Sequence, residues 1–284
     1  MNFRIFRTIG LIICSVFLCL SFMTNAQALV KKWETDSLLR KPESAIYDVT
    51  NQVVYVSNIN GKYRTKDGNG FISRIDTNGN ILDLKWADGL DSPQGLGIYK
   101  NSLYVADLDR VVEFDISSSR IKHIFNAENA QFLNDLAIDQ NGIIYISDCA
   151  ANKIYRIKKR RMQVWFENPV LKSPNGLLAI DNKLYLLNMG DERAYCIHPD
   201  TKAFTCFARG IRNADGLVSD GENGFFASGA WQGEIFHITS AGKKTLILNL
   251  GKTNTIAADI EYIPSQRLLL VPTLCKTVIA YRIP

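Results

Sequence analysis

The strongest constraint on the fold of this 284-residue chain is an internal repeat of about 40 residues that occurs six times. Each copy places a polar residue just before a short apolar stretch, and turn sequences such as Asn-Gly or Ala-Gly separate the apolar stretches that follow. The copies begin at Pro42, Pro93, Leu133, Pro174, Ala214 and Ala258. Four short strands at this period are typical of a β-propeller. We therefore predict an all-β fold, a six-bladed propeller with four-stranded blades.

The two ends of the chain are predicted to share one blade. The last repeat stops at Pro284, after its third strand, whereas Ala28–Trp33 resembles the fourth strand of the other repeats. The sequence Lys32–Glu34 parallels Lys85–Ala87, with a tryptophan at the centre of each. We expect this N-terminal strand to complete the last blade and so remove the free sheet edges. The alternative, a parallel β-helix, has shorter coils and lacks antiparallel hairpin turns.

The N-terminus has the pattern of a secretory signal. A basic start, an apolar run over Thr8–Met23 and an Ala-x-Ala sequence ending at Ala28 predict a signal peptide in residues 1–28 that is cleaved off. The apolar run is shorter than the roughly 20 residues that a spanning helix needs. We expect an exported protein, periplasmic or secreted, with its propeller domain in residues 29–284 and no stable membrane span after cleavage.

Charge and cysteine content bear on nucleic-acid binding and on disulfide formation. The chain has a formal net charge of +5, and its one basic run, Lys158–Arg161, falls at a predicted hairpin turn, so nucleic-acid binding is not expected. Cys196 and Cys206 flank another predicted turn, and a disulfide across that hairpin is one possibility for an exported chain. We expect a monomer that acts on a small-molecule substrate.

One polar residue per repeat forms what we call the polar column. Its members each stand second in their repeat and are Glu43, Gln94, Asn134, Asn175, Asp215 and Asp259. Because the inner strands of a propeller surround its channel, these side chains should meet at one mouth of it. Crowded carboxylates repel one another, and a divalent cation bound by their oxygens would relieve that repulsion. Alternatively, the column only bonds backbone groups where the strands enter the channel.

Four short motifs, in the same order and in different repeats, resemble those of the regucalcin (senescence marker protein), gluconolactonase and luciferin-regenerating-enzyme family. Glu43–Asp48 is similar to its Glu-Gly-Pro-x-Trp-Asp motif, and Asn134–Asp139 is similar to Asn-Asp-Gly-x-x-Asp. Asn175–Leu177 matches Asn-Gly-Leu, and Asp215–Asp220 matches Asp-Gly-x-x-x-Asp. That family consists of six-bladed propellers, so the resemblance extends over the whole exported part of the chain.

The resemblance implies roles for five residues. Glu43, Asn175 and Asp215 would bind one divalent cation, calcium in preference to magnesium, manganese or zinc. Asn134 and Asp135 would bind the substrate. Asp215 would also be the catalytic residue, accepting a proton as general base.

These roles predict a divalent-metal-dependent hydrolase of lactones or related small cyclic esters, of the gluconolactonase type. A carbonyl polarised by the metal would be attacked by a metal-bound water. The alternative is a non-catalytic, calcium-stabilised propeller that binds a sugar or a protein partner, since propellers serve as enzymes and as scaffolds. The polar residues that end three second strands, Asp107, Asp148 and Asn188, either line the pocket or cap turns.

Overall fold

Residues 29–284 are described by a computed structural model, in which six antiparallel four-stranded sheets form the blades of a β-propeller. The predicted fold class is therefore confirmed. The predicted signal peptide, residues 1–28, lies outside the described residues.

The strands follow the repeats along the chain. The first is β1 (Val30–Glu34). Blade 1 contains β2 (Pro42–Asp48), β3 (Val53–Asn58), β4 (Gly70–Asp76) and β5 (Ile81–Leu90). Blade 2 contains β6 (Pro93–Tyr99), β7 (Ser102–Asp107), β8 (Arg110–Asp115) and β9 (Ile121–Asn126). Blade 3 contains β10 (Leu133–Ile138), β11 (Ile144–Asp148), β12 (Lys153–Lys158) and β13 (Arg161–Glu167).

The second half of the ring repeats this arrangement. Blade 4 contains β14 (Pro174–Ile180), β15 (Lys183–Asn188), β16 (Arg193–Ile197) and β17 (Phe204–Arg209). Blade 5 contains β18 (Ala214–Ser219), β19 (Phe225–Gly229), β20 (Glu234–Ile238) and β21 (Lys244–Asn249). Blade 6 contains β22 (Glu261–Ile263), β23 (Leu268–Pro272), β24 (Val278–Arg282) and, as its outer strand, β1.

The described helical elements are single turns. They are 3-10 helices at Met189–Asp191, Ala230–Gln232, Gly251–Thr253 and Pro264–Gln266. None of the helices in residues 29–284 is both long enough and apolar enough to cross a membrane.

The ring closes through the N-terminal strand, as predicted. β1 pairs antiparallel with β24, with Val30 opposite Arg282 and Glu34 opposite Ile279. Just beyond the strand, the Thr35 N–H donates to the Val278 carbonyl at 3.0 Å, and the Val278 N–H donates to Thr35 Oγ1 at 3.1 Å. The edge of the last blade is thereby covered by the other end of the chain.

Six buried apolar clusters hold the blades together, one at each junction between neighbouring blades. The cluster between blades 1 and 2, for example, joins Tyr55 and Ile72 to Val105 and Phe114. The cluster between blades 6 and 1 joins β2–β4 residues to β22–β24 residues in the same way. Strands alternate their side chains between two faces, so each sheet supplies apolar residues to both neighbouring junctions. Burial of these faces is the main stabilising contribution to the ring.

A tryptophan on an outer strand fills three of these junctions. Trp86 packs 4.7 Å from the Tyr55 ring between blades 1 and 2, and Trp165 packs 4.9 Å from the Tyr145 ring between blades 3 and 4. Trp33 of β1 occupies the junction between blades 6 and 1, where its indole Nε1 donates to the Thr77 carbonyl at 2.9 Å. The parallel between Trp33 and Trp86 in the sequence therefore reflects equivalent positions in the fold.

The register of blade 4 excludes a disulfide between Cys196 and Cys206. Cys206 lies opposite Tyr195, and Cys196 lies opposite Thr205. Because adjacent residues of a strand face opposite sides of the sheet, the two thiols point to different faces. Both cysteines are free thiols.

Candidate functional site

A β-bulge in the inner strand of five blades sets the direction of the polar-column side chain. In blades 1 to 5 the pairing of the inner strand with its neighbour shifts register at the column residue. The shifts lie between Pro42 and Ala45, Pro93 and Leu96, Leu133 and Leu136, Pro174 and Leu177, and Ala214 and Leu217. A bulge leaves a residue unpaired and changes the direction of its side chain. The column residue of each blade can therefore leave the plane of the sheet.

A serine on the second strand holds this bulge in three blades. The backbone N–H of the residue after the column residue donates to the Oγ of Ser57, Ser147 or Ser228, at 2.9, 3.0 and 2.8 Å. The glycines of the Asn-Gly and Asp-Gly motifs, Gly176 and Gly216, are required by close packing between inner strands. A Cβ on Gly176 would overlap the carbonyl oxygen of Asp215, and a Cβ on Gly216 would overlap the backbone of Ile260. Only glycine lets neighbouring inner strands approach this closely.

Five of the six column residues line one pocket of about 210 Å³, which we call the mouth pocket. They are Glu43, Gln94, Asn134, Asn175 and Asp215. The three residues implied as metal ligands and one of the two implied for substrate binding are therefore brought together. Each of the five is at most 9% exposed.

Asp259 and Asp135 lie deeper, in a channel cavity of about 180 Å³ that Glu261 also lines. Asp259 accepts a hydrogen bond from the Ser44 hydroxyl at 2.6 Å. Asp135 accepts from the Leu177 N–H of the next blade at 2.6 Å. The structure thus separates Asn134, on the mouth pocket, from its neighbour Asp135, which ties blade 3 to blade 4.

Within the mouth pocket two of the three implied metal ligands are hydrogen-bonded to each other, and two of the three have an oxygen without a partner. The Asn175 amide Nδ2 donates to Asp215 Oδ1 at 2.7 Å. Glu43 Oε2 and Asn175 Oδ1 are buried and have no hydrogen-bond partner. Buried polar atoms are almost always paired in folded proteins. These two unpaired acceptors beside the Asp215 carboxylate therefore indicate a binding place for a cation or a hydrogen-bond donor.

The carboxyl groups around the channel have raised pKa values. Burial, followed by the charges of Asp215, Asp259 and Asp135, raises the pKa of Glu43 well above its usual range. Burial and the charge of Asp259 raise the pKa of Asp215 to about 7. Burial raises the pKa of Asp259 to about 7 and that of Glu261 to about 8. Burial and the negative charges of neighbouring carboxylates both disfavour the ionised form of these groups.

The chemistry of the donors fits a hard divalent cation. Carboxylate and carboxamide oxygens are the ligands that calcium, magnesium and manganese prefer. Among residues 29–284 no three His, Cys, Asp or Glu side chains are grouped so as to hold a metal, so a cation here would need the Asn175 oxygen as well as carboxylates. The two unpaired acceptors, one on Glu43 and one on Asn175, belong to the implied ligand set.

The three histidines lie elsewhere. His123 packs edge-on against Phe125, with 4.3 Å between ring centroids. His198 accepts hydrogen bonds from the backbone of its own turn, and His237 pairs with Asp220 at 2.9 Å. None of them lines the mouth pocket.

The polar residues that end the second strands cap turns and do not line the mouth pocket. Asp107 accepts from the Ser92 N–H at 2.7 Å, Asp148 from the Phe132 N–H at 3.1 Å, and Asn188 from the Lys172 N–H at 2.8 Å. In each blade this bond holds the segment that leads into the inner strand. Of the two possibilities left by the sequence, the structure supports turn capping.

Other walls of the mouth pocket were not predicted from the sequence. Tyr63 and Arg64 reach it from the segment 59–69 between β3 and β4, and Trp231 reaches it from blade 5. The one available signal was length, because segment 59–69 interrupts the first repeat where the other repeats have a short turn.

Comparison with solved structures supports the class of fold. The chain is similar to a catalytically inactive histidine-to-alanine variant of virginiamycin B lyase from Staphylococcus aureus with quinupristin, at a TM-score of 0.65 and 14% identity, covering 90% of this chain and 99% of that one. It is similar to a streptogramin B lyase at a TM-score of 0.64 and 11% identity, covering 89% and 96%. It is also similar to a chain of a nidogen/laminin complex at a TM-score of 0.61 and 18% identity, covering 72% and 78%.

At these identities the likeness shows a shared propeller fold alone. No family model matches the chain, and no curated protein matches it.

Proposed function

We propose that this protein is a divalent-metal-dependent hydrolase of lactones or related small cyclic esters. The observation that carries the proposal is the pair of buried, unpaired acceptors, Glu43 Oε2 and Asn175 Oδ1, on the pocket that Asp215 also lines. Leaving such groups unpaired costs about 1–3 kcal/mol each, and a bound cation would remove that cost. The pocket is small, which restricts the substrate to a small molecule.

Glu43, Asn175 and Asp215 would hold the cation, for which we propose calcium, an ion that binds carboxylate and carbonyl oxygens. When bound, a divalent cation supplies Lewis acidity toward a carbonyl oxygen and toward water. Asn175 keeps its amide on Asp215 at 2.7 Å, which fixes the orientation of that carboxylate. The unpaired oxygen of Asn175 and that of Glu43 therefore face the pocket from defined positions.

Asp215 is the proposed general base. Its carboxylate lies on the pocket, and a base works best when its pKa is near the working pH. Asn134, on the same wall, would orient the substrate by hydrogen bonding. Asp135 lies in the channel and would act on the substrate only through the strands that it ties together.

The lyases with this fold provide a second candidate chemistry, which the pocket does not favour. The virginiamycin B lyase variant is catalytically inactive and carries alanine in place of a histidine. Here no histidine of residues 29–284 lines the mouth pocket. The groups available for proton transfer are carboxylates, which suits hydrolysis by a positioned water.

The test combines metal content with activity. Protein stripped with a chelator is titrated with calcium, magnesium, manganese and zinc, and hydrolysis of a lactone panel is followed after each addition. We expect one cation per chain and metal-dependent hydrolysis. Glu43→Gln should weaken metal binding by roughly tenfold or more. Glu261→Gln, a matched change in the channel cavity, should leave metal affinity unchanged.

Two outcomes would contradict the proposal in different ways. Equal metal affinity in wild type and Glu43→Gln would exclude the proposed ligand set. Tight calcium binding with no hydrolysis of any lactone under any metal would leave the calcium-stabilised, non-catalytic propeller as the better explanation.

A further inference from the structure

Segment 59–69 extends from blade 1 across blade 2, and its middle residues Tyr63 and Arg64 line the mouth pocket. At its start, Lys41 Nζ donates to the Gly61 carbonyl at 2.6 Å. Further along, Lys66 pairs with Asp109 of blade 2 at 2.6 Å, and the Gly68 N–H donates to Asp91 Oδ1 at 3.0 Å. These contacts anchor the segment at both ends. Its middle residues are therefore held in place although they are exposed.

Arg64, in the middle of the segment, lies on an aromatic ring of blade 3. Its guanidinium carbon is 4.2 Å from the centroid of the Phe132 ring. Phe132 is 5% exposed and packs with Leu108 and Cys149 in a small buried cluster. Stacking on a fixed ring immobilises the guanidinium plane, and the N–H groups along its edge can still donate hydrogen bonds. The structure therefore presents a preoriented fork of donors at the pocket.

Arg64 has no anionic partner within the part of the chain that the structure describes. No carboxylate among residues 29–284 forms an ion pair with it, whereas Arg110 of blade 2 pairs with Asp91 and Asp107. Arg64 is also the one cationic side chain among the described residues that line the mouth pocket. An arginine in this position has its charge available for a ligand.

The wall around Arg64 is apolar and aromatic. Trp231 is 57% exposed and Tyr63 is 38% exposed, and both line the pocket together with Met189. Large aromatic side chains left open at the rim of a pocket are typical of a binding surface. The mouth pocket therefore has two chemically different parts, the oxygens of the polar column and an arginine set among aromatic rings.

Resting on the proposed function, we propose that Arg64 binds a carboxylate of the substrate, and that the substrate is a lactone or cyclic ester carrying both a carboxylate and an aromatic or apolar group. A planar guanidinium forms paired hydrogen bonds with a carboxylate. The single positive charge of Arg64 balances a singly charged carboxylate, whereas a phosphate dianion would keep an uncompensated negative charge. Trp231 and Tyr63 would contact the apolar group.

The test uses matched pairs of ligands that differ by one carboxylate. The neutral ligands are γ-phenyl-γ-butyrolactone and the corresponding γ-lactam, and the anionic ones are their para-carboxylates. Binding of the two lactams, which are not hydrolysed, is measured by calorimetry on the calcium-loaded protein. We expect the para-carboxylate lactam to bind at least about tenfold more tightly than the neutral one, as one charge-assisted contact implies.

Variants identify the contact. Arg64→Gln should abolish the preference for the carboxylate, and Arg64→Lys should retain only part of it, because an ammonium group lacks the planar fork. Lys62→Gln removes the same charge from the same segment at a residue that does not line the pocket, and it should keep the preference. Trp231→Ala should weaken both lactams to a similar extent.

The outcomes separate this inference from the proposed function. Equal affinity of the wild type for the two lactams, or an unchanged preference in Arg64→Gln, would overturn the role of Arg64 even if both lactones are hydrolysed. An Arg64-dependent preference without hydrolysis of either lactone would sustain the carboxylate site and remove the hydrolase proposal.

Discussion

At the scale of single residues, the mouth pocket contains groups that are poorly satisfied by the protein alone. Glu43 and Asn175 each bury an acceptor oxygen without a partner, and Asp215 has a pKa raised to about 7. Such groups destabilise a fold unless a ligand or an ion compensates them. Their concentration at one pocket is the reason to regard it as a functional site, since perturbed carboxyl groups cluster at such sites.

Replacing Asp215 tests both its chemical role and its electrostatic effect. Asp215→Asn keeps the shape of the side chain but removes the base and one buried charge, so kcat should fall by roughly 10²–10⁴. In chelator-treated protein at alkaline pH the same variant should be more stable than wild type, because one of the repelling carboxylates is gone. Steady-state kinetics and urea unfolding measure the two effects. A variant that loses stability and keeps its kcat would contradict both expectations.

At the scale of structural elements, two features decide where the pocket lies. The bulge in the inner strands of blades 1 to 5 turns the column residue toward the mouth. In blades 3 and 4 a polar residue at the end of the second strand holds the segment before that bulge. Asp148 also supports the position of Arg64. Its carboxylate accepts a hydrogen bond from the backbone N–H of Phe132, and Arg64 stacks on the Phe132 ring.

Removing the Asp148 cap should lower the free energy of unfolding. Its carboxylate is fully buried and accepts from the Gln131 N–H at 2.8 Å and the Ala151 N–H at 2.8 Å, as well as from Phe132. Asp148→Ala would leave these donors unpaired and should cost about 2–4 kcal/mol of unfolding free energy. Asp148→Asn, which keeps an acceptor, should cost less. Asp200→Ala at an exposed turn is the control, and a loss of equal size there would argue against a specific cap.

The closing strand makes a second prediction at this scale. Trp33 joins β1 to the junction between blades 6 and 1 and donates to the Thr77 carbonyl. Trp33→Ala should lower the unfolding free energy by about 2–4 kcal/mol through lost packing. Trp231→Ala, at an exposed tryptophan, should change stability by only about 0.5 kcal/mol. Chemical denaturation compares the two, and similar losses would indicate that β1 contributes little to closure.

At the scale of the whole molecule, the channel concentrates negative charge that the fold must accommodate. Five acidic residues from four blades converge on the mouth pocket and the channel cavity: Glu43, Asp135, Asp215, Asp259 and Glu261. Each of these carboxyl groups has a raised pKa, with burial as the first cause. We therefore expect the stability of the whole ring to depend on pH and on bound cations.

The sign of the pH dependence follows from these shifts. A carboxyl whose pKa is higher in the folded than in the unfolded chain holds its proton more tightly when folded, so stability falls as pH rises between the two values. For Asp215 and Asp259 this window runs from the ordinary aspartate pKa of 3.8 to about 7, and for Glu261 from the ordinary glutamate pKa of 4.5 to about 8. Chelator-treated protein should therefore melt at a higher temperature at the acid end of the window than at its alkaline end.

Calcium should reverse most of this loss at alkaline pH, because it favours the ionised carboxylates. Glu261→Gln should reduce the pH dependence but preserve the response to calcium, since Glu261 lies in the channel cavity and not at the mouth. Melting curves over this pH range, with and without calcium, test both points. A melting temperature that rises with pH in the chelated protein would contradict the assignment of the buried charges.

Much of the fold was predictable because it depends on sequence patterns that span only a few residues. The repeat of turn residues and apolar stretches predicts the strands of each blade, and the match of Trp33 with Trp86 predicts the closure of the ring. The polar column was also visible, and five of its six members do meet at one pocket. These features depend on neighbouring residues and on the equivalence of the copies, which a sequence displays directly.

Only the tertiary structure decided which side chains reach the mouth pocket. Their positions depend on strand register and on the path of one loop. Asn134 and Asp135 are adjacent in sequence, yet a bulge and a hydrogen bond to the next blade direct them to different cavities. Arg64 is brought to the pocket by a segment that crosses from blade 1 to Phe132 in blade 3. The sequence by itself determined the scaffold, because alternation and turn chemistry act over a few residues. The assignment of individual side chains to the mouth or the channel required contacts between residues far apart in the chain, which no local pattern specifies.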